Sequence, residues 1–367
     1  MTHVSGAYAD IYAWDNLYAA YRLAARGKRG RPAAAAFEYR LEDNLVRLGD
    51  ELAAETYRPG PYASFIIHEP KRRLISAAPF RDRVVHHALC QVIEPAFEAS
   101  FSDHSYANRA GKGTHRCLAQ CQAWARRYAY VLQCDVRQFC PSVDHSILEC
   151  TLNRRIQDGG IRRLIRLILD SGVGVLSEQY DMVYFPGDNP STGLRPGSGC
   201  SSGQGLLAAN RRRGLPIGNL TSQFWANCYL SSFDHFVTRE LRAPAYLRYV
   251  DDFLLFGDDK AQLWDWRAAI IERLADLRLT IHEESAQVRP SRHGSPFLGF
   301  VVYPTHRLLK RRKGIEYRRR LAGLLAAYRR REVSRAEVGS SVLGWINHVR
   351  YGDTWGLRRA ILRNVRL

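Results

Sequence analysis

The stretch LRYVDDFLLF, residues 247–256, sets two adjacent carboxylates, Asp251 and Asp252, between two apolar runs of strand-like composition. Strand, tight acidic turn, strand reads as a β-hairpin. An Asp-Asp pair in a turn usually belongs to a solvated loop. Here Tyr249 and Val250 precede the pair and Leu254, Leu255 and Phe256 follow it, so buried strands fix the carboxylates. Held that way, two like charges repel each other unless a cation lies between them. A third carboxylate, Asp135, lies near the end of another β-rich run, YAYVLQCDV at 128–136. Three carboxylates from neighbouring strands match a two-metal phosphoryl-transfer site, where Mg2+ ions about 3.5–4 Å apart clamp the attacking and leaving oxygens. Nucleotidyl transfer is the reaction such a site serves. Asp144, nine residues beyond Asp135, reads as the cap of the helix beginning HSIL rather than as a ligand.

The rest of the chain is consistent with a nucleic-acid enzyme. Its 367 residues suffice for two or three subdomains sharing a cleft, and 46% hydrophobic with 25% charged residues is globular composition. The 54 Lys+Arg against 36 Asp+Glu leave a net charge of +18, an excess that points to a polyanion such as nucleic acid. No run of about 18 apolar residues is present and the first thirty residues lack a secretory pattern, so a cytoplasmic protein without a membrane span is expected. The eight cysteines form no C-x-x-C pair; Cys117 and Cys121, four apart on a helix, read as small core residues, and neither a zinc site nor a disulfide framework is expected.

Apolar spacing predicts helices over 7–57, interrupted by the basic turn RGKRGRP, then an extended segment at 62–76 and a helix at 81–98. Helices follow over 145–171, then a Gly/Ser/Pro-rich loop from 172 to 214, a helix at 219–240, the acidic hairpin, a helix at 261–279, a strand at 297–303 and a basic helical tail over 314–367. The class is α+β, with the active site on the sheet.

Y-V-D-D at 249–252, with D-V-R-Q-F-C-P-S-V-D at 135–144, resembles the catalytic palm of reverse transcriptases. Further segments fall in that family's order: EPKRRLISAAPFRDRVVHHAL (69–89), FSDHSYANRAGKGTHRCL (101–118), GLPIGNLTSQFWANCYL (214–230) and FLGF (297–300). The resemblance implies a right-hand polymerase: an N-terminal helical extension over 1–60, fingers with part of the palm over 61–134, a palm with a small antiparallel sheet over 135–303 carrying the 172–214 insertion, and a helical thumb over 304–367. It implies that Asp135, Asp251 and Asp252 hold two Mg2+ ions, with Mn2+ as a possible substitute, and that the main-chain carbonyl of Val136 is a further ligand. Lys71 and Arg73, with Arg72 beside them, occupy positions that grip the incoming triphosphate. Phe297, Leu298 and Gly299 match the primer grip, where main chain positions the primer end.

Ile217-Gly218-Asn219-Leu220-Thr221-Ser222-Gln223 narrows the resemblance. The pattern I-G-x-x-x-S-Q is similar to reverse transcriptases of diversity-generating retroelements, which copy a template-repeat RNA with errors opposite adenine. The resemblance places Ile217, Gly218 and Gln223 at the nucleotide, where other relatives carry a glutamine in place of the isoleucine. Losing one hydrogen bond there shrinks discrimination roughly 2- to 12-fold. Relatives carry a bulky aromatic five residues after the first catalytic aspartate, as a gate against ribonucleotides; here that position is Cys140, with Phe139 one residue early. Ser285 stands where a lysine often protonates pyrophosphate; His282 is a candidate to substitute, against the commoner structural reading of a lone His. The basic stretch LLKRRKGIEYRRRLAGLLAAYRRR reads as a thumb helix on the template-primer backbone.

The implied partners are template RNA, an RNA/DNA primer duplex, dNTPs and a pentameric basic helical accessory variability protein, in a phage, bacterial or archaeal setting. Two other readings stay open: a retron, group II-like or antiphage-defence reverse transcriptase, and a catalytically silent RNA-binding scaffold.

Overall fold

The computed structural model describes residues 3–68, 72–181, 183, 185 and 211–363. Along the chain, helices α1 (Tyr8–Tyr12), α2 (Trp14–Ala25), α3 (Pro32–Tyr39) and α4 (Leu41–Ala53) precede strands β1 (Ala63–Ile67) and β2 (Arg73–Ala77) and helix α5 (Phe80–Glu98). Helix α6 (Thr114–Arg127) leads into β3 (Tyr130–Asp135), followed by α7 (Phe139–Ser142), α8 (His145–Asn153), α9 (Gly159–Ser171) and α10 (Leu220–His235). The hairpin β4 (Tyr246–Tyr249) and β5 (Asp252–Gly257), helix α11 (Lys260–Asp276), and strands β6 (Val288–Pro290), β7 (Ser295–Phe297), β8 (Phe300–Val302) and β9 (Arg307–Leu309) come next. Helices α12 (Arg311–Arg329), α13 (Arg335–Val349) and α14 (Trp355–Leu362) close the described chain.

Two compact units are built from these elements. The first comprises Met1–Asn108, Val136–Glu240 and Ala269–Ile281 and is mostly helical. Its core forms where α2 lays Leu17, Ala20, Tyr21 and Ala24 on α5, whose Val84, Val85, Ala88, Leu89 and Ile93 are all buried. Each of the Leu, Val and Ile side chains contributes about 1.5–3 kcal/mol on burial. The first expected helix breaks at Ala13, whose ψ of 138° is extended, and the second breaks at Arg40 between α3 and α4. Pro32 begins α3, where its missing N–H costs nothing. In the region expected to be extended, β1 and β2 pair antiparallel, Ala63 opposite Ala77 and Ile67 opposite Arg73.

The second unit, Arg109–Asp135, Leu241–Ala268 and His282–Leu367, holds a four-stranded antiparallel sheet in the order β4-β5-β3-β6 and a three-stranded sheet β7-β8-β9. Strand interiors are apolar: Leu132, Phe253, Leu254, Leu255 and Phe256 are fully buried. The single strand expected over 297–303 is instead the hairpin β7–β8, because Leu298 and Gly299 both adopt positive φ (45° and 88°) and turn the chain back. The basic tail is three helices, packed through Tyr317, Leu321, Trp345 and Val349, with the Tyr317 and Trp345 rings stacked at 4.3 Å. Cys117 and Cys121 are buried core residues of α6 as expected, and burial pushes the Cys121 thiol up to about 12. Among the described residues six cysteines are free and Cys150 is disulfide-bonded. No helix among the described residues is long and apolar enough to cross a membrane.

Candidate active site

Strand pairing in the second unit brings the expected carboxylates together. Asp135 is the last residue of β3 and faces Asp252, the first residue of β5, in antiparallel register. Directly opposed residues project to the same face with Cβ atoms about 4.5–5.5 Å apart. Tyr249 faces Asp252 from β4, which leaves Val250 and Asp251 as a two-residue turn. Asp135, Asp251 and Asp252 are all half-buried. The frame around them is tied down: the Thr114 and Tyr249 hydroxyls share a hydrogen bond of 2.9 Å, and the His282 N–H donates to the Asp135 carbonyl at 3.0 Å. Cys134, beside Asp135, is held inert by burial, its thiol pushed up to about 12.

The turn carries strain. Val250 has φ of +59°, a left-handed conformation that a β-branched side chain adopts only when its surroundings impose it. Arg248, 1% exposed, donates from Nη1 to the Val250 carbonyl at 2.9 Å. Sequence reading missed this arginine, because a single charge in an alternating run looks like a solvated strand edge.

Hard carboxylate oxygens on a fixed hairpin suit a hard divalent cation, and like charges placed directly across a sheet are unfavourable without one. Among the described residues no group of three or more His, Cys, Asp or Glu side chains is already gathered as a metal cage. The register sets Asp135 opposite Asp252 with Asp251 next to them in the turn, without gathering the three side chains into such a cage. Val136 bridges Ile281 in the first unit, and the hydrogen bonds flanking this bridge are Arg137 N–H to the Thr280 carbonyl and His282 N–H to the Asp135 carbonyl. Those bonds use neither polar group of Val136.

The FLGF segment is the β7–β8 turn. Phe297 and Phe300 pair across it and are buried, while the Gly299 carbonyl accepts from Lys310 N–H at 3.0 Å. Leu298 and Gly299, between the two buried rings, are half-buried. Asp144 caps α8 as expected, its Oδ1 accepting from the N–H groups of Ser146 and Ile147. His282 is exposed, and its carbonyl accepts from the Ser285 hydroxyl.

In the first unit, Arg73 is the exposed first residue of β2, and Lys71 lies outside the described residues. Phe139 is 2% exposed and packs edge-to-face on Tyr229 at 6.5 Å, whereas Cys140 is half-exposed. Of the two, Cys140 alone has side-chain surface to offer a ligand. The reason is local: Gln138 has φ of +45° and turns the start of α7 so that Phe139 enters the core.

The 217–223 segment is docked on β2 through main chain. Ser76 N–H donates to the Ile217 carbonyl at 2.9 Å, and Gly218, at φ +120°, lies where a Cβ would meet Ile75 at 3.0 Å. Buried Asn219 completes the joint: its Nδ2 donates to the carbonyls of Ser76 and Pro216, and its Oδ1 accepts from Ala78 N–H. Ser222 Oγ also donates to the Pro216 carbonyl, at 2.7 Å. Ile217 is half-exposed, and Gly218 and Gln223 are exposed. Asn219 was also missed by sequence reading, since Asn after Gly is an ordinary turn signal.

Residues 67–302 match the family model for reverse transcriptase (RNA-dependent DNA polymerase). Protein YkfC of Escherichia coli (strain K12) is 24% identical over 315 residues, covering 74% of this chain and 73% of that protein. Group II intron-encoded protein LtrA of Lactococcus lactis subsp. cremoris is 24% identical over 233 residues, 62% of this chain and 33% of that protein. Among solved structures, a telomerase from Candida albicans covers 70% of this chain and 48% of its own at 11% identity and a TM-score of 0.40. A partial Cas6-RT-Cas1–Cas2 complex covers 74% and 42% at 19% identity and a TM-score of 0.38.

Proposed function

The chain belongs to the reverse transcriptases, RNA-directed DNA polymerases, and from that premise we propose that it copies a template-repeat RNA into adenine-mutated cDNA within a diversity-generating retroelement. One observation carries the catalytic part: the register that sets Asp135 opposite Asp252, beside Asp251 in a two-residue turn. The subclass rests on Ile217, Gly218 and Gln223, all of which have exposed or half-exposed surface on a backbone pinned by Asn219.

In this reading, Asp135, Asp251 and Asp252 hold two Mg2+ ions, with the Val136 carbonyl as a further donor. The ions would supply charge neutralisation for the triphosphate and a lowered pKa for the primer hydroxyl. Arg73 and Lys71 bind the triphosphate, Cys140 lies at the sugar, and Ile217, which can neither donate nor accept, meets the base pair. The main chain of Phe297, Leu298 and Gly299 places the primer end. The exposed arginines Arg311, Arg312, Arg318, Arg319 and Arg320 of α12 contact template-primer phosphates. The subdomains are an extension over 1–60, fingers over 61–134, palm over 135–303 and thumb over 304–367, and the accessory partner is a pentameric basic helical protein.

The test has two arms. Primer extension on an RNA template is expected to disappear in an Asp251→Asn, Asp252→Asn double variant, and retained activity would overturn the site. Sequenced cDNA from adenine-containing and adenine-free templates should differ in error frequency; equal fidelity would return the protein to the group II-like, retron or defence classes.

A further inference from the structure

Beneath the acidic turn lies a charge that the chemistry above does not use. Arg248 sits within β4 between the buried Leu247 and the half-buried Tyr249, and it is itself 1% exposed. Its cross-strand partner is Phe253. Burying a guanidinium is expensive, and a position that needed only packing would carry an apolar side chain, as Leu247 and Phe253 do. One group that Arg248 holds is the carbonyl of Val250, at 2.9 Å. That carbonyl belongs to the peptide linking Val250 to Asp251, so holding it sets the direction in which the chain enters Asp251.

The residue being held needs holding. Val250 has φ of +59°, in a region that L-residues avoid by roughly 5- to 30-fold relative to right-handed backbone. Alternation along the strands puts Arg248 and Phe253 on one face of the sheet and Tyr249, Asp252 and Asp135 on the other. Arg248 thus stems from the face of the sheet opposite to that of Asp135 and Asp252.

We propose that Arg248 is a positioning residue for the divalent-metal site: by holding the Val250 carbonyl it keeps the turn in its left-handed form and presents Asp251 beside the Asp135/Asp252 pair. The proposal rests on the assignment of those three carboxylates as metal ligands. Arg248 touches neither substrate nor metal in this scheme; it acts through the backbone of residue 250.

The experiment compares the full chain with Arg248→Lys, Val250→Gly and the double variant. Lysine keeps the charge and loses the planar fork. Glycine at 250 removes the steric bias against positive φ. Direct Mn2+ binding to the protein, without nucleic acid, is followed by electron paramagnetic resonance, with the Asp251→Asn, Asp252→Asn variant defining the zero. Arg248→Lys is expected to weaken Mn2+ binding and lower kcat by about tenfold, within the bias cited for left-handed backbone, while KM for dNTP stays unchanged. Val250→Gly in the same chain is expected to restore most of both losses.

Unchanged Mn2+ affinity in Arg248→Lys overturns the proposal, as does a loss that Val250→Gly leaves in place. If Arg248→Lys fails to fold and the double variant folds, the proposal holds; if neither folds, Arg248 is a core residue and the proposal falls. A wild-type chain that binds Mn2+ and extends no primer defeats the polymerase reading and leaves the Arg248 comparison standing.

Discussion

Asn219 is expected to govern both the stability of the first unit and the placement of Ile217. Asn219→Ala removes three hydrogen bonds, from Nδ2 to the Ser76 and Pro216 carbonyls and from Ala78 N–H to Oδ1. At about 1 kcal/mol net for each bond, the direct loss is about 3 kcal/mol. Pro216 keeps the bond from Ser222, but Ala78 N–H is buried and loses this partner, which adds about 1–2 kcal/mol of desolvation penalty. The sum, about 4–5 kcal/mol, corresponds to a fall in Tm of about 8–20 °C for a unit of this size. Asn219→Asp is expected to do worse, because it keeps the acceptor and sets a carboxylate against two carbonyl oxygens. Thermal and urea unfolding measure the loss, and KM for dNTP should rise in parallel because the Ile217–Gly218 backbone loses its clamp on β2. A destabilisation under about 1 kcal/mol in Asn219→Ala would show that the joint is held elsewhere and sink the argument.

Three further outcomes are expected. Ile217→Gln keeps the carbonyl that Ser76 N–H binds and changes a half-exposed side chain, so it should leave Tm nearly unchanged, and it should lower misincorporation opposite adenine roughly 2- to 12-fold in sequenced cDNA; an unchanged error spectrum would detach Ile217 from fidelity. Cys140→Phe should raise the preference for dNTP over rNTP roughly 10- to 100-fold in single-nucleotide extension, and no change would place the gate elsewhere. His86 is fully buried, and burial holds its imidazole neutral down to about pH 3. Between about 3 and 6.5 the unfolded chain binds the proton and the folded chain does not, so stability rises with pH across that window. It falls by up to about 1.4 kcal/mol per unit on acidification, and His86→Phe should flatten that slope in urea titrations.

The carboxylates were legible because their flanks are apolar: Phe253, Leu254 and Leu255 announce a buried strand whichever way the chain then turns. The 62–98 and 128–136 elements were legible for the same reason, as period-2 or helical patterns over several residues. The residues that orient the site were not. Arg248 is one charge in an apolar run, and nothing local says that its fork will close on a carbonyl two residues on. Asn219 looks like turn punctuation until Ser76 and Ala78, more than 140 residues away, supply its partners. Phe139 and Cys140 differ by one position, and only the left-handed Gln138 decides which of them faces inward. The FLGF turn was hidden similarly, since leucine at positive φ carries no sequence signal.

Gln138, Val250 and Leu298 share a property that bears on how such a site is built. Each is a non-glycine residue with φ between 45° and 59°, and each stands at the residues assigned to the sugar, the metal or the primer. At about 1–2 kcal/mol apiece, the three together cost about 3–6 kcal/mol, a large fraction of ordinary net stability. Each is offset by what lies next to it: Phe139 in the core against Tyr229, Arg248 on the Val250 carbonyl, and the buried Phe297 and Phe300 closing on either side of Leu298. Glycine at these positions would adopt positive φ without steric cost, as Gly218 and Gly299 do at 120° and 88°, but it would also leave neighbouring conformations open. A side chain forced into the left-handed region by its surroundings has fewer alternatives. The expense in stability is therefore what narrows the backbone to one conformation where atoms must be placed to within a fraction of an ångström.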